Sequence, residues 1–481
     1  MSGIDLEQGL IPTGMGIDKH AVLFRAHDRL VRAIHAPYSR FYAELIEDPV
    51  IAQLIADGRL VATRKSLFPV PGHSLVLEHP ILSLVSYPFE WTPSMFKDAA
   101  LALLDLNLSL LPRKLCTQDA HLWNVLFNRT QPVFVDFTSI IPAPDEGRWH
   151  MLHQFEQYCL NPLLLMSAGY PTTARALQRE ILSYPDPRLL DALAVRRTLF
   201  PRSVYARRLW HATVQSVPLP LRKVLRPLIR EFRGLMRGRT RQSVDGVREI
   251  EMLRNRVSAM EVTTRQSQWS DYYEGQNELP VYQGDPDALR ARGEVTAKQR
   301  LVEQVLERLK PASVLDIGCN RGLFSQLAAR TGARVVGIDT DEAALDLMYA
   351  DSKRLRSGAV PLYVNAAAPA EAIGFKDMPF PTVTERLKAD GVLCLALVHH
   401  LVYRETRMKF PHIARMLASY AQRWVIVEFV PGDDRHLQHF STPDIDWYTL
   451  DNFVDALYKE FRSIERFASY PSPRVLLVCE K

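Results

Sequence analysis

Short apolar runs alternate with amphipathic stretches through the C-terminal third of the chain. The apolar runs predict strands at residues 314–316, 334–339, 361–365, 391–398, 423–429, 463–467 and 474–479. Helical patterns follow at 323–330, 342–356 and 450–461, and the second of these places Ala343, Leu347 and Ala350 on one apolar face. Strands that alternate with helices in this way favour a parallel α/β sheet.

The first of these strands ends in a turn that is suited to holding a ligand. The turn has the sequence Asp-Ile-Gly-Cys-Asn-Arg-Gly and carries Asp316, Gly318 and Gly322 directly before a helix. Glycine lets the backbone approach a ligand closely, and a helix start offers free N–H groups. The second strand ends in Asp339, which is positioned to accept hydrogen bonds from a ribose diol. In open sheets of this kind, ligands bind beyond the carboxyl ends of the strands.

A nicotinamide dinucleotide site is the main alternative, because it shares this fold and the acidic residue after the second strand. Its fingerprint is Gly-x-Gly-x-x-Gly, with the pyrophosphate at the helix N-terminus. Here Cys319, Asn320 and Arg321 separate the two glycines, so the middle glycine is missing. Asp316 would repel a pyrophosphate, whereas it suits a cationic sulfonium ligand that carries a free amino group.

The Asp-x-Gly-x-x-x-Gly turn, followed by Gly337-Ile-Asp339, resembles the S-adenosylmethionine (SAM) site of class I methyltransferases, which have a Rossmann-like sheet of seven strands. A nucleotide site and a degenerate, empty fold are the alternatives. The resemblance implies that SAM is the cofactor and that it is bound by Asp316, Gly318, Cys319, Asn320, Gly322, Asp339 and Asn365.

Two histidines after the fourth strand, His399 and His400, are the candidate catalytic residues. A base that takes the acceptor proton assists methyl transfer to oxygen or nitrogen, and histidine titrates near neutral pH. Alternatively, these side chains pack against the cofactor or bond a backbone carbonyl. Tyr272 and Tyr273, within Trp269-Ser-Asp-Tyr-Tyr, lie where methyltransferases often carry a lid over the cofactor. An aromatic contact between domains explains this cluster equally well.

The length and composition indicate a multidomain cytoplasmic protein. At 481 residues, 47% of them hydrophobic, the chain is long enough for two or three domains with sizeable cores. No apolar run approaches the ~18 residues of a membrane span, and the first residues lack the pattern of a secretion signal. The five cysteines are scattered, which argues against a disulfide framework and against a zinc site.

The net charge of +5 is unevenly distributed. Residues 196–241 contain thirteen Arg or Lys and one acid, Glu231, and 219–241 within them is a basic amphipathic segment interrupted by Pro227. Such a segment either packs its apolar stripe on a neighbouring domain or lies on an anionic membrane surface, which would make the protein peripheral at the inner membrane. No nucleic-acid motif accompanies it, so nucleic acid is not expected as a partner.

The N-terminal half carries the layout of a kinase catalytic site. Asp119 is followed five residues later by Asn124, and Asp136 comes after a predicted hairpin. In kinases the first Asp orients or deprotonates the acceptor hydroxyl, and the Asn and second Asp hold Mg²⁺ against the phosphates of ATP. However, no convincing glycine-rich phosphate loop is present, and Arg32 occupies the strand position of the usual lysine. A kinase-like scaffold without phosphoryl transfer therefore explains the same residues.

Several distinctive motifs occur in the order found in bacterial nodulation host-specificity (NoeA-like) methyltransferases. They are Leu77-Glu-His-Pro, Ser86-Tyr-Pro-Phe-Glu-Trp, Lys97-Asp-Ala-Ala, Gln118-Asp-Ala-His-Leu-Trp-Asn-Val, Pro132-Val-Phe-Val-Asp, Trp269-Ser-Asp-Tyr-Tyr and the Val314 motif. The resemblance spans nearly the whole chain. It implies a SAM-dependent methyltransferase that modifies a secreted glycan or related metabolite. Two departures are Gln118, where Lys is usual, and Asn365, where an acidic residue is usual.

The predicted organisation is α/β, with a class I methyltransferase domain over 289–481, preceded by an α+β kinase-like or pseudokinase domain over 1–240. Residues 241–288 form a helical linker and the aromatic lid segment. The expected function is SAM-dependent methylation of a glycan, a lipid-linked sugar or a small metabolite, with the kinase-like domain serving substrate binding or regulation. One alternative is a bifunctional kinase–methyltransferase of a saccharide terminus, which would also use ATP and Mg²⁺. Another is a membrane-associated pseudokinase scaffold.

Overall fold

The computed structural model describes residues 10–12, 18–26, 28–144, 148–179, 190, 246–262, 285–369, 374–375, 378–379, 381–403, 407–434, 437 and 445–481. The chain forms two compact units. The first comprises Met1–Ala99, Trp123–Thr138 and Thr264–Lys481, and the second comprises Ala100–Leu122 and Ser139–Thr263. The predicted lid residues Tyr272 and Tyr273 and the basic segment 219–241 lie outside the described residues.

The described strands, in chain order, are β1 (Leu10–Pro12), β2 (Ala21–Ala26), β3 (Arg29–Ile34), β4 (Arg64–Lys65), β5 (Leu75–Pro80), β6 (Leu115–Thr117), β7 (Val125–Asn128), β8 (Gln131–Phe134), β9 (Ile140–Pro142), β10 (Ser313–Ile317), β11 (Arg334–Asp339), β12 (Val360–Tyr363), β13 (Gly374–Phe375), β14 (Met378–Pro379), β15 (Ala389–Cys394), β16 (Ala421–Phe429), β17 (Ser463–Ala468) and β18 (Val475–Glu480).

The described α-helices are α1 (Ser39–Leu45), α2 (Pro49–Ala56), α3 (Pro93–Leu110), α4 (Leu152–Phe155), α5 (Asn161–Ser167), α6 (Pro171–Gln178), α7 (Gly246–Ala259), α8 (Pro286–Ala291), α9 (Ala297–Leu309), α10 (Leu323–Arg330), α11 (Glu342–Leu355), α12 (Val383–Arg386), α13 (Val398–Tyr403), α14 (Phe410–Tyr420) and α15 (Leu450–Leu457). Within the described residues, no helix combines the length and the apolar character needed to span a membrane.

The N-terminal part of the first unit is built on an antiparallel sheet with the strand order β1-β2-β3-β5-β4. Val31 and Ala33 of β3 enter its core, and the alternation of a strand directs Arg32 between them to the other face. The predicted hairpin is present as β7 and β8. It joins the same unit, because the Val61 N–H donates to the Phe134 carbonyl oxygen at 2.9 Å.

In the described residues the second unit is mainly helical, with the short ladder of β6 and β9 at one side. The apolar pattern of 149–166 predicts a buried helix, and the structure has helical residues without a gap over 152–167. It has α4, then a π-helical turn over Glu156–Leu160, then α5. Pro162 lies in the first turn of α5, where its missing N–H cannot bond to the preceding turn. The helix therefore changes from α to π geometry just before this proline and continues without a gap into α5.

The C-terminal part of the first unit is a seven-stranded sheet with the order β12-β11-β10-β15-β16-β18-β17. All strands up to β16 are parallel, and β18 is antiparallel to both of its neighbours. The predicted class I methyltransferase fold is confirmed in this region. The strand order reverses between β10 and β15, and such sheets bind ligands beyond the carboxyl ends of the strands at this point.

Helices α9 and α10 cover one face of this sheet. Val302, Val305 and Leu306 of α9 pack with Trp424 of β16 in a continuous apolar core. The Trp424 indole lies against Gly391 on the neighbouring strand, which carries no side chain that would fill the same space. This packing fixes α9 and α10 against the strands whose ends form the candidate site.

Helix α11 buries a different face from the predicted one. Leu347 is 38% exposed and Ala350 is also exposed, whereas Ala343, Met348 and Tyr349 are buried. In the structure α11 contacts the loop after β10 through Met348 and Asp98 through Tyr349, so two neighbours determine which positions are buried.

Candidate functional site

The loop after β10 is held in a tight turn by its own backbone. The N–H groups of Gly318 and Cys319 both donate to the carbonyl oxygen of Ile338 on β11, at 2.8 and 3.2 Å. Gly318 and Gly322 have φ values of 73° and 78°, which glycine adopts without strain. A Cβ atom at Gly322 would lie 2.6 Å from Cγ of Met348. The turn therefore requires glycine at both positions.

Asp316 lies at the end of β10 beneath this loop and is only 2% exposed. The Ser325 hydroxyl, in the first turn of α10, donates to its carboxylate at 2.7 Å. Burial raises the pKa of Asp316 to about 7, although the hydrogen bond from Ser325 acts in the opposite direction. A nearby cation favours the charged form of such a carboxyl group. Asp316 is therefore suited to a positively charged ligand.

Asp339, at the end of β11, accepts three backbone hydrogen bonds. The Asn320 N–H donates to Oδ2 at 2.8 Å, and those of Thr340 and Asp341 donate to Oδ1 at 2.7 and 2.9 Å. Burial raises the pKa of Asp339, and these three bonds lower it. An ionised carboxylate has about four acceptor positions. One position on Oδ2 is thus left for the hydroxyl group of a ligand.

The other predicted cofactor-binding residues in the described part of the chain differ in whether their side chains could contact a ligand. Cys319 is buried, and its Sγ lies 3.7 Å from Sδ of Met348, so its side chain packs below the loop. Asn320 has a φ of 49°, and its side-chain oxygen accepts from the Arg321 N–H at 2.7 Å. Asn365 is exposed after β12 and accepts from a backbone N–H at 3.0 Å, which leaves its NH₂ group to donate to a ligand.

The two predicted catalytic histidines lie at the start of α13. Strand β15 ends at Cys394, earlier than the predicted residue 398, because Ala396 has a φ of 52° and so leaves the extended conformation, and Val398 begins this helix. His399 is 5% exposed, and its ring centroid lies 4.0 Å from that of His400. The preceding Leu397 side chain lies 3.1 Å from the point where a Cβ atom of Gly318 would be. The start of α13 is thus next to the loop after β10, and the catalytic role of His399 and His400 stays a prediction.

A buried ion pair at the same end of the sheet was not predicted. Lys298 Nζ donates to Glu428 Oε2 at 2.6 Å, and their side chains are 3% and 0% exposed. The Ser469 hydroxyl donates to the other Glu428 oxygen at 2.6 Å. Lys298 precedes Val302 by four residues and Leu306 by eight, so it continues the apolar stripe of α9. A lysine on an apolar stripe is the sequence signal that could have found this pair.

In the N-terminal part, the predicted Mg²⁺ ligand Asp136 is bound by Arg32. Arg32 Nη1 donates to Asp136 Oδ1 at 2.9 Å, to Asp18 Oδ2 at 3.3 Å and to the Thr138 hydroxyl. Its Nε donates to His79, whose pKa is lowered to about 3 by burial and by the Arg32 charge. The cation in the kinase-lysine position therefore pairs directly with the carboxylate after the hairpin.

The other two kinase-like residues occupy separate compact units. Asp119 lies in the second unit, where its N–H donates to the Ser139 hydroxyl at 3.3 Å. Asn124 lies in the first unit, and its carbonyl oxygen accepts from the Val135 N–H at 2.9 Å. Throughout the described chain, no three His, Cys, Asp or Glu side chains form a cluster that could hold a metal ion. The roles of Asp119, Asn124 and Asp136 stay predictions.

Comparison with known proteins supports the methyltransferase prediction. A family model described as a methyltransferase domain matches residues 315–425, which run from β10 into β16. Over 475 residues the chain is 28% identical to nodulation protein NoeA of Rhizobium meliloti (strain 1021), and the alignment covers 96% of this chain and 94% of NoeA.

Shorter alignments relate the C-terminal region to ubiquinone biosynthesis O-methyltransferases. The identity is 32% over 100 residues with the Leptothrix cholodnii protein, which covers 21% of this chain and 38% of that protein. The identity is 37% over 89 residues with the Paraburkholderia phytofirmans protein, and this alignment covers 18% of this chain and 33% of that protein. The crystal structure of WbdD aligns with 20% identity over 42% of this chain and 45% of its own, with a TM-score of 0.32.

Proposed function

We propose that this SAM-dependent methyltransferase, a homologue of nodulation protein NoeA, methylates a hydroxyl oxygen of a glycan, a lipid-linked sugar or a related small metabolite. The proposal is carried by the pair of strand-end carboxylates, Asp316 and Asp339, on either side of the glycine loop. The O-methyltransferase relatives favour oxygen as the methylated atom. The full-length similarity to a nodulation protein favours a glycan or a related secreted metabolite.

The residues present fit SAM as the cofactor, which supplies a methyl group on a positively charged sulfur. Asp316 would compensate positive charge next to the loop, and the last acceptor position of Asp339 would take a ribose hydroxyl hydrogen bond. Gly318 and Gly322 let the loop backbone approach the cofactor, while Asn320 ties the loop to Asp339. We extend the proposal to Tyr272 and Tyr273 as lid residues, to Cys319 as packing beneath the loop, and to Asn365 as a donor towards adenine.

His399 is the proposed base for the acceptor hydroxyl. Its imidazole would take the proton of the acceptor hydroxyl, and His400 is the second candidate for this role. The burial of His399 would exclude water from the proton being moved. Most of the acceleration would come from holding the acceptor oxygen in line with the methyl group.

For the N-terminal residues 1–240, we propose a kinase-like domain that binds substrate or regulates the methyltransferase domain at 289–481. The direct pairing of Arg32 with Asp136 supports this choice, because it neutralises the carboxylate that would otherwise hold Mg²⁺. A bifunctional kinase–methyltransferase that uses ATP and Mg²⁺ is the second candidate. ATP-dependent phosphate incorporation into a saccharide, abolished by Asp136→Ala, would select it. Activity that survives Asp316→Ala together with Gly318→Arg would select the scaffold alternative.

We further propose that the protein acts in the cytoplasm, peripherally at the inner membrane if 219–241 contacts lipid. Cosedimentation with anionic vesicles tests that contact, and replacement of the arginines of 219–241 by glutamine should abolish it. A protein that stays in the supernatant at low salt would favour internal packing of this segment.

The acceptor is identified by mass spectrometry of metabolites and surface glycans from cells with and without the gene. We expect one class of molecule to lose one methyl group in the deletion strain. The wild-type gene should restore it, Asp316→Ala should not, and Asp451→Ala should, because Asp451 is a highly exposed aspartate on α15. Identical methylation in the two strains would contradict the proposed function.

A further inference from the structure

One face of helix α11 packs under the loop after β10, which contains Gly318 and Gly322 and is the proposed cofactor loop. Met348 lies on this face, and its Cε is 2.8 Å from the point where a Cβ atom of Gly337 would be. Its Sδ is in contact with Sγ of Cys319 at 3.7 Å. Because neither Gly322 nor Gly337 has a side chain between Met348 and the backbone, Met348 sets how closely the loop lies to β11. A displacement of α11 must therefore displace the loop.

Another face of α11 is bonded to the beginning of α3, in the same compact unit. Ser94 donates to Asp346 with its N–H at 3.0 Å and with its hydroxyl at 2.8 Å, although 252 residues separate them. One turn further along α3, Asp98 accepts from the Tyr349 hydroxyl at 2.8 Å and from Lys353 Nζ at 2.5 Å, both at Oδ2. Two successive turns of α3 are thus bonded to successive turns of α11.

These contacts are of the stronger kind. Asp346 and Asp98 are carboxylates, and the hydrogen bonds that a carboxylate accepts are stronger than those between neutral groups. Tyr349 is 1% exposed, and its hydroxyl also lies 3.1 Å from the Thr130 carbonyl oxygen. Burial raises the pKa of Tyr349, so its hydroxyl keeps the proton that it donates to Asp98. The contact is therefore stable enough to hold α11 in place.

We infer that Ser94 and Asp98, in the N-terminal part of the chain, are positioning residues of the SAM site. They hold α11, and α11 holds the loop through Met348. This inference rests on the proposed SAM-binding role of that loop. It makes SAM affinity a property of both ends of the sequence, and it gives the N-terminal part a route to regulate methyl-donor binding without contacting the donor.

The test compares two aspartates on the same helix. Asp98→Asn removes the negative charge of the carboxylate that accepts hydrogen bonds from Tyr349 and Lys353. Asp105→Asn is the matched control, since Asp105 lies seven residues later on α3, is paired with Arg254, and has a side chain 32% exposed against 25% for Asp98. Tyr349→Phe removes the other partner of the contact. All variants are made in the full chain.

Two measurements are made on each protein, namely the Kd of S-adenosylhomocysteine by calorimetry and hydrogen exchange of the amides in residues 316–326. We expect Asp98→Asn and Tyr349→Phe each to weaken binding about fivefold to tenfold and to speed exchange in the loop, as expected for a lost charge-assisted bond felt at a distance. The double variant should be weakened by less than the product of the two effects. Asp105→Asn should stay within about twofold of wild type.

Each outcome separates the inference from the proposed function. A wild-type protein that does not bind S-adenosylhomocysteine would refute the proposed function. Wild-type binding with unchanged Kd values in Asp98→Asn and Tyr349→Phe would overturn the positioning role alone. Equal weakening by Asp98→Asn and Asp105→Asn would also overturn it, since general loosening would then explain the loss. If Asp98→Asn fails to fold by circular dichroism, Tyr349→Phe and Ser94→Ala decide the question by the same two measurements.

Discussion

Ser325 donates a hydrogen bond to Asp316 at 2.7 Å and thereby joins the first turn of α10 to the end of β10. The bond stabilises the charged form of a carboxyl group whose burial otherwise favours the neutral form. Because the pKa of Asp316 is about 7, its charge changes within the physiological pH range. The binding of a cationic methyl donor should therefore depend on pH.

We expect the affinity for SAM to rise with pH up to about 7 and to level off above it. Below the pKa of Asp316, which is about 7, a proton must leave before the carboxylate can pair with the donor. The affinity should thus fall about tenfold for each pH unit below this value. Calorimetry between about pH 5.5 and 8.5 measures the slope. Asp316→Asn should bind weakly at every pH, and a wild-type affinity that does not change over this range would contradict the assignment.

Replacement of the hydrogen-bond donor should shift this profile. Ser325→Ala removes the bond that lowers the pKa of Asp316, so the rise in SAM affinity should move to higher pH. Ser352→Ala is the control, because Ser352 is also fully buried in this unit but bonds to Gln326 instead. If the two serine variants have the same pH profile, the Ser325 bond does not control the charge of Asp316.

The same raised pKa has a consequence for stability without ligand. The carboxyl of Asp316 binds its proton more tightly in the folded than in the unfolded chain, where its pKa is near the ordinary 3.8. Its contribution to stability is therefore complete below about pH 4 and is lost as the pH rises to about 7. The melting temperature of the ligand-free wild type should therefore fall over this pH interval relative to that of Asp316→Asn. Parallel profiles of the two proteins would contradict this linkage.

Substitution of Gly322 and of Gly332 distinguishes the cost of a positive φ from the cost of a steric clash. Gly322 has φ 78° and Gly332 has φ 85°, but only at Gly322 would a Cβ atom collide with Met348. We expect Gly332→Ala to cost about 1–2 kcal/mol of stability and to leave SAM binding intact. Gly322→Ala should cost the same strain and also distort the loop, so that binding falls at least about tenfold. Urea unfolding and calorimetry distinguish the two, and equal binding by both variants would contradict the tight-loop account.

Local pattern was sufficient to predict the glycine turn after β10 and the strand ends around it. A strand, a glycine turn and a helix start follow one another within a few residues, so Asp316, Gly322 and Asp339 were placed by sequence alone. Local pattern did not predict the burial of side chains that contact distant segments of the chain. The buried face of α11 was predicted wrongly, because Tyr349 is buried by residues that precede it by about 250 positions.

The buried ion pair was missed for the same reason. Glu428 lies 130 residues after Lys298, and no local pattern connects them. Similarly, Arg32 was noted in the kinase-lysine position, but its direct bond to Asp136, 104 residues later, required the folded chain. Contacts of this length depend on how the strands are ordered in space, which the periodicity of one segment does not encode.

Removal of one partner of the Lys298–Glu428 pair should destabilise the C-terminal sheet strongly. Lys298→Met leaves a charged Glu428 at a fully buried position, where the Ser469 hydroxyl is its remaining partner among the described residues, which costs on the order of 3–5 kcal/mol. Lys298→Met combined with Glu428→Gln should recover part of this loss, since no unpaired charge is then buried. Urea unfolding followed by tryptophan fluorescence measures both. A double variant less stable than Lys298→Met would contradict the account.

His399→Asn should separate catalysis from binding. If His399 takes the acceptor proton, methyl transfer should fall about a hundredfold or more, while the Kd of S-adenosylhomocysteine stays unchanged. His400→Asn is the comparison, because the two rings are adjacent on α13. The readout is incorporation of labelled methyl groups into an extract from the deletion strain. Loss of cofactor affinity in His399→Asn, rather than of transfer, would assign His399 to packing.

The central claim is that the loop between Asp316 and Asp339 binds a cationic methyl donor and not a dinucleotide. The direct test is calorimetry of nucleotide-free, full-length protein with S-adenosylhomocysteine and, separately, with NADH. The account predicts saturable binding of S-adenosylhomocysteine that Asp316→Asn weakens, and no heat with NADH. Clear binding of NADH with no response to S-adenosylhomocysteine would contradict it.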